Sequence, residues 1–467
     1  MLNKQGRKRI IYWVILGCAV FMRIIAFIGS DNFHGIAAGK IMEAKRILEH
    51  PHELTAWIVP AHGPAHLYLV ALGLKLSNNH YNSAVFLSLL FGIGVLLPYI
   101  GFVKSAFDDK TAICSSFLIA FFPLHIIYSV LSTAETMFLF FLFSGLLFFV
   151  REQKTGRLID LLFSALFLSI ATVCRFEGGL FIIIIMTMLL IKNRRKAFFF
   201  VLISSVLPID WMWGNYLVSG NFMQFLFASD AIVKEGFARN RALGLNFGAF
   251  QKIFYWIIQI KSYFGLPILI GGLCALILYG FKKEYRKTTF LLIIPLAYFS
   301  YKTFIEELAM QPRYGMSLGM LLIPYFSMLL ANILKQVKMN LRKTVFLTFI
   351  IYVVFRCAYL QLIMLPHSPV WVKEAALFLR NNTSIQDAIY IESKEDNIKE
   401  PLKVYSGLKA EQFIDYTPFS NNVEMLNPDG MEKLKFIVMV SNQRLKNREE
   451  IFKINNCRIY QVKKNAE

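Results

Sequence analysis

Asp31 is the first residue whose type and position suggest chemistry. It stands just after an apolar run, Ile10 to Gly29, in the segment S-D-N-F-H-G-I-A-A-G-K. A carboxylate there has two readings. It can cap the following helix by accepting backbone N–H bonds. It can also sit at the mouth of a membrane cavity and take the proton of an acceptor hydroxyl. His34 lies three residues on. His62 and His66, in A-H-G-P-A-H, are four apart and would share one helix face. Zinc takes three or four protein ligands, and no third follows at suitable spacing, so no metal site is expected. Packing around a re-entrant Gly63-Pro64 turn, or a polar contact to phosphate, suits the pair better. Glu135 opens another apolar run. There it either complements a helix N-terminus or supplies a second cavity carboxylate. Arg175 and Glu177 flank C-R-F-E-G, and Arg313 and Tyr314 belong to Q-P-R-Y. An arginine offers phosphate several N–H donors, although at a span end it can equally snorkel to the interface.

The elements that must position these residues are membrane helices. Hydrophobic residues make up 56% of the 467 and charged ones only 17%, and Phe alone contributes 44. Soluble domains run to roughly 45–50% apolar and about 25% charged. Crossing the hydrocarbon core takes about 20 apolar residues at about 1.5 Å each. About eleven such segments can be read: Ile10–Gly29, Ser83–Val103, Thr111–Ile127, Glu135–Val150, Leu158–Val173, Gly179–Ile191, Ala197–Leu217, Tyr255–Tyr279, Thr288–Tyr301, Met316–Leu334 and Val345–Leu365. The stretch 30–81 is too polar to span. Within it, Ile36, Ala37, Ile41, Ala44 and Leu48 share one face of a helix over Phe33–Leu48, which is expected to lie in the interface plane. A second long polar segment runs from Val218 to about Gln251.

The net charge of +20 does not indicate nucleic acid. Lys and Arg concentrate in alternate short gaps, around Lys4–Arg9, Lys192–Lys196, Lys282–Lys287 and Lys335–Lys343. That alternation is the signature of cytoplasmic loops. It predicts a multi-pass cell-membrane protein with a cytoplasmic N-terminus. An odd count of spans then puts the C-terminal end outside. Asp31, His34, His62, Glu135, Arg175, Glu177 and Arg313 all fall on that outer side.

The division expected is a transmembrane unit, 1–366, and a small extracytoplasmic α/β unit, 367–467. In the latter, Trp371–Arg380 has helical periodicity, Asp387–Ile391 and Lys435–Val440 read as buried strands, and Asn456–Val462 reads as an edge strand. Of the six cysteines only Cys457 lies there, so no disulfide is expected within it.

The order of these motifs resembles the GT-C membrane glycosyltransferases, in the branch of the protein mannosyltransferases and aminoarabinose transferases. An acid follows the first helix. H-G-P-A-H-L-Y-L-V-A-L is similar to that family's H-P-P-L-Y-like segment. P-L-H-I-I-Y-S-V-L-S-T-A-E-T-M-F resembles its Pro…Tyr-Ser…Glu stretch, C-R-F-E-G its Arg-Pro-Glu turn, and Q-P-R-Y-G-M-S-L-G-M-L-L-I-P its late Arg-Tyr…Pro stretch. The resemblance covers roughly residues 10–330. It implies a polyprenyl-phosphate-linked sugar as donor and inverting transfer to a hydroxyl on a protein, lipid or glycan, among membrane lipids. It also implies Asp31 as general base, Arg175, Arg313 and His62 on the phosphate, and Glu135 orienting the acceptor or its cationic partners. No cofactor is indicated. Two positions depart from the pattern: Asn32 stands where the family often has a second acid, and Phe176 stands in place of proline.

Two other classes compete with this reading. A transporter or flippase needs ionisable residues deep in its spans; Arg23, Asp210, Lys261 and Arg356 are the candidates, most of them near span ends. An envelope-glycan polymerase or ligase would use the same outer arginines and histidines.

Overall fold

The computed structural model describes residues 4–30, 35–51, 63–78, 81–242, 244–365, 370–384, 386–392, 396–415, 434–440, 449–455 and 457–461. Every segment read as a span is helical. The first is α1 (Lys4–Gly29). After it come α2 (Gly35–Glu49) and α3 (Pro64–Leu76), both within the polar stretch. The second span is α4 (Asn82–Gly94) running into α5 (Leu96–Ala106), and the third is broken into α6 (Asp109–Ala120) and α7 (Pro123–Ser129). Then follow α8 (Glu135–Thr155), α9 (Leu158–Cys174), α10 (Gly178–Lys192), α11 (Arg194–Ser204) and α12 (Val206–Ser219). The second polar segment carries α13 (Gln224–Ala242). The bundle closes with α14 (Ala249–Phe264), α15 (Leu266–Tyr279), α16 (Arg286–Phe304), α17 (Met316–Gln336) and α18 (Met339–Met364).

Four helices are long and apolar enough to cross a membrane: Gln5–Gly29, Asn82–Ala106, Pro312–Gln336 and Met339–Met364. Two bent pairs, α6 with α7 at 59° and α11 with α12 at 43°, make six if each pair counts as one span. Clear spans among the described residues therefore number four to six, short of the eleven expected. The segment read as one span over Tyr255–Tyr279 is two helices. Gly265 takes φ +89° between them, and Pro267 lies in the first turn of α15. Glycine reaches that φ at no steric cost, and proline favours a fresh helix start.

Both kinds of break are held by a cation from a neighbouring helix. Pro123 and the bend leave the end of α6 with carbonyls short of helical partners, Ile119 O meeting the Phe122 N–H just past the helix, at 3.2 Å. Arg23 of α1, fully buried, donates to Ala120 O at 3.3 Å and to Ile119 O at 3.5 Å, and its Nη2 lies 2.7 Å from His125 Nδ1. Arg356 of α18 likewise donates to Tyr263 O at 3.3 Å and to Ser262 O, carbonyls at the end of α14. Carbonyls at a helix end have no partner within the helix, and in an apolar bundle an unpaired one is expensive. These two cations therefore act as caps.

The helix expected in the interface plane packs its apolar face on protein. The apolar face of α2 (Ala38, Ile41, Met42, Ala44) packs with Leu67, Val70 and Leu74 of α3 and with Val404 from the C-terminal region. Val404 belongs to α20 (Asp396–Ser406), which follows α19 (Val370–Asn382). These two helices pack with a five-stranded sheet of order β2-β1-β3-β5-β4, made of β1 (Ala388–Glu392), β2 (Phe413–Asp415), β3 (Leu434–Val440), β4 (Glu449–Ile454) and β5 (Cys457–Gln461). β1 runs parallel to β2 and β3, and β5 runs antiparallel to β3 and β4. The strand expected at the edge is thus interior. Cys457, Ile459 and Tyr460 are buried, because β4 covers the side that the sequence pattern left open.

Candidate active site

α8 measures the bundle from end to end. Near its C-terminus Glu152 meets Lys196 at 2.5 Å, and Gln153 bonds Lys192 at 3.3 Å and also Lys287. The basic gaps after α8, α10 and α15 therefore gather at one end. Glu135 opens the same helix 17 residues earlier, about 25 Å away at 1.5 Å per residue. Around it sit the arginines singled out above.

Glu135 Oε1 accepts from Arg175 Nη1 at 2.5 Å and lies 3.4 Å from Arg313 Nη1. Glu177 takes Arg175 in a fork, Nη2 to Oε1 at 2.7 Å and Nε to Oε2 at 3.3 Å. The Tyr314 ring lies beneath both guanidinium groups, with centroids 4.6 Å from Arg175 Cζ and 5.3 Å from Arg313 Cζ. Every member is buried. Burial alone would strip charge from Arg175; Glu177 and then Glu135 more than offset it and hold the guanidinium protonated.

Local sequence brings these groups together. Arg175 ends α9 in extended backbone, with its N–H on Ala171 O at 3.0 Å, and the chain turns at once into α10. A Cβ at Gly178 would come 2.7 Å from Thr172 N, so only glycine lets α10 start so close to α9. The turn therefore forms with Phe176 in place of proline. Gly63 meets the same end of α9: its N–H donates to Cys174 O at 3.2 Å, and a Cβ there would collide with the Val173 carbonyl. Arg313 and Tyr314 ride on the single turn Pro312–Gly315 that opens α17.

Arg313 and Tyr314 also line a cavity of about 1130 Å³. Its other walls are α2, α13 and, from the C-terminal region, Glu400, Lys403, Glu411 and Phe413. Among the described residues no three His, Cys, Asp or Glu side chains gather as a metal site.

Residues 61–210 match the family model of the dolichyl-phosphate-mannose-protein mannosyltransferases. ArnT from Cupriavidus metallidurans, in its crystal structure with undecaprenyl phosphate, superposes with a TM-score of 0.70 at 10% identity, over 96% of this chain and 97% of that one. The chain has the GT-C glycosyltransferase fold. The oligosaccharyltransferase of Archaeoglobus fulgidus, solved with Zn and sulfate, superposes with a TM-score of 0.60 at 13% identity, over 91% of this chain and 67% of that one. No curated protein matches the sequence. The family match, over residues 61–210, and the fold likeness, over nearly the whole chain, point the same way.

Within the GT-C frame, five of the eight site residues read from the sequence converge: Glu135, Arg175, Glu177, Arg313 and Tyr314. Asp31, His34 and His62 lie outside the described residues. Arg175 is engaged by two glutamates and does not line the large cavity, whereas Arg313 does. Two further groups join the layer. His66 of α3 is buried, and its Nε2 has no hydrogen-bond partner among the described residues. Burial, with Lys40 adding to it, pushes His66 down to about 4, so it is neutral at physiological pH. Lys40 of α2 lines the cavity and is only 8% exposed. The sequence did carry a signal for it. Lys40 falls four residues from both Ile36 and Ala44, inside the apolar stripe of α2, where a surface lysine has no place.

Proposed function

We propose that the chain transfers a sugar from a polyprenyl-phosphate carrier to an acceptor hydroxyl, with inversion, on the extracytoplasmic side of the cell membrane. In this reading Asp31 accepts the hydroxyl proton as the acceptor oxygen bonds to the anomeric carbon. The bond from that carbon to the carrier's phosphate oxygen breaks, and polyprenyl phosphate leaves with the electron pair. Arg313, which lines the cavity, meets the phosphate, and His62 assists. Arg175 is a positioning residue: clamped by Glu135 and Glu177, it holds Glu135 where it orients Arg313. Residues 1–366 form the catalytic membrane unit and 367–467 the extracytoplasmic unit. The acceptor is a hydroxyl of a protein, lipid or glycan.

One observation carries the reading: Arg313, part of a buried constellation of two carboxylates and two guanidiniums, lines a cavity of about 1130 Å³ at the end of α8 away from the basic gaps that gather near its C-terminus. The undecaprenyl phosphate of the ArnT crystal structure supports a lipid phosphate as ligand. The test is Asp31→Asn in purified full-length protein, following loss of sugar from polyprenyl-phosphate sugars. Transfer should fall by about two to four orders of magnitude, the usual contribution of a general base. Undiminished turnover would remove Asp31 from the mechanism.

A further inference from the structure

Lys40 has no assigned role, and its surroundings are unusual for a lysine. Its side chain is 8% exposed, yet among the described residues it makes no hydrogen bond or ion pair. Buried ammonium groups are ordinarily paired, because the unpaired charge is costly to desolvate. Lys45, five residues on, is also buried without such a bond among the described residues, but it does not line the cavity. Lys40 does, on the same wall system as Arg313 and Gln311, whose Oε1 is itself buried without a partner.

We infer that Lys40 is a second phosphate ligand, donating with Arg313 to the phosphate that leaves as the glycosyl bond breaks; the inference rests on the lipid-phosphate donor proposed above. The departing group changes from a phosphodiester with one negative charge to a monoester with nearly two. A cation kept unpaired until then interacts most strongly with the product-like state, which is the condition for lowering the barrier. Arg313 is already committed in part to Glu135, at 3.4 Å. Among the described residues Lys40 has no such commitment.

The charges facing Lys40 are arranged consistently with this. Burial lowers it to about 8; Glu43 on its own helix and Glu135 of α8 oppose the shift, and Arg313 and Arg175 add to it. From α3 it faces His66, which is neutral in this range. From α20, Glu400 and Lys403 line the same cavity and lie 3.2 Å from each other. Burial thus brings Lys40 down toward neutrality, and an incoming phosphate would hold it protonated.

The experiment is equilibrium binding to the full-length protein in detergent. The probes are a short-chain prenyl monophosphate, the matching prenol and inorganic phosphate, compared for wild type, Lys40→Gln and Lys40→Arg from about pH 7 to about pH 9.5. Wild type should prefer the prenyl phosphate and lose affinity about tenfold per pH unit above about pH 8. Lys40→Gln should bind at least about tenfold more weakly at neutral pH, the loss of one charge-assisted bond. Lys40→Arg, whose guanidinium stays charged throughout, should restore binding and flatten the pH profile, which a merely structural lysine would not produce. Equal affinity and pH profile in wild type and Lys40→Gln would overturn the assignment of Lys40 and leave the donor class standing. Equal affinity for inorganic phosphate would overturn the lipid source. A wild type that does not distinguish prenyl phosphate from prenol would sink the donor reading, and this inference with it.

Discussion

Two groups of opposed charges flank the cavity, and they are built differently. On one side Glu135, Arg175, Glu177 and Arg313 are sealed in the bundle, each no more than 7% exposed. On the other, α13 is tied to the turn after α16. Glu306 takes Arg241 at 2.6 Å and Lys252 at 2.7 Å, while Glu307 takes Lys234 at 3.1 Å and Lys302 at 2.5 Å. There Lys234 and Arg241 are half exposed. In the sealed group each charge has given up its water and depends on its partner. In the outer group water and salt compete with every pair. The contrast separates a sealed charge group from one partly open to water: α13 is anchored in the bundle by Phe225 on Trp211, while its polar ties to the turn after α16 lie nearer the surface.

The comparison can be broken at three points. The largest effect is expected from Glu135→Ala. It leaves Arg175 with one partner and Arg313 with none among the described ion pairs. Removing one partner of a buried pair costs about 3–5 kcal/mol, so thermal unfolding in detergent should shift strongly and transfer should be abolished. A melting temperature within a degree or so of wild type would mean the group is not sealed in solution. A smaller loss, about 1–3 kcal/mol, is expected for Gly63→Ala, where the new methyl must push the Val173 carbonyl away beside Arg175. Stability and activity should fall together; lost activity at full stability would show that the turn serves ligand binding rather than packing. The smallest effect belongs to Glu306→Gln with Glu307→Gln. Each lost pair is worth about 0–1 kcal/mol, and the difference from wild type should vanish as salt is raised toward 1 M, where the screening length is about 3 Å. A salt-independent defect would place this group with the buried one.

The helices themselves were legible in the sequence because apolar runs and their period are local properties. Each segment read as a span is helical, and Glu135, Arg175, Glu177, Arg313 and Tyr314 were singled out from span ends alone. Their shared position was foreseen only as a sidedness argument from Lys and Arg counts. Several features were decided by contacts distant in sequence. The apolar face of α2 reads the same whether lipid or α20 covers it, and only the packing shows α3 and α20 against it. β5 looks like an edge strand until β4 pairs with it. Gly265 was visible as a residue, but the α14–α15 break is completed by Arg356, which lies 91 positions later in the chain. Lys40 became a candidate only when α3, α8 and the Pro312–Gly315 turn closed around it. Composition and periodicity determine which residues leave water and in what local form. Apart from Arg175 and Glu177, which are neighbours in sequence, the partners of the buried charges are set by packing between distant segments, Glu135 with Arg175 and with Arg313, and no local pattern encodes that.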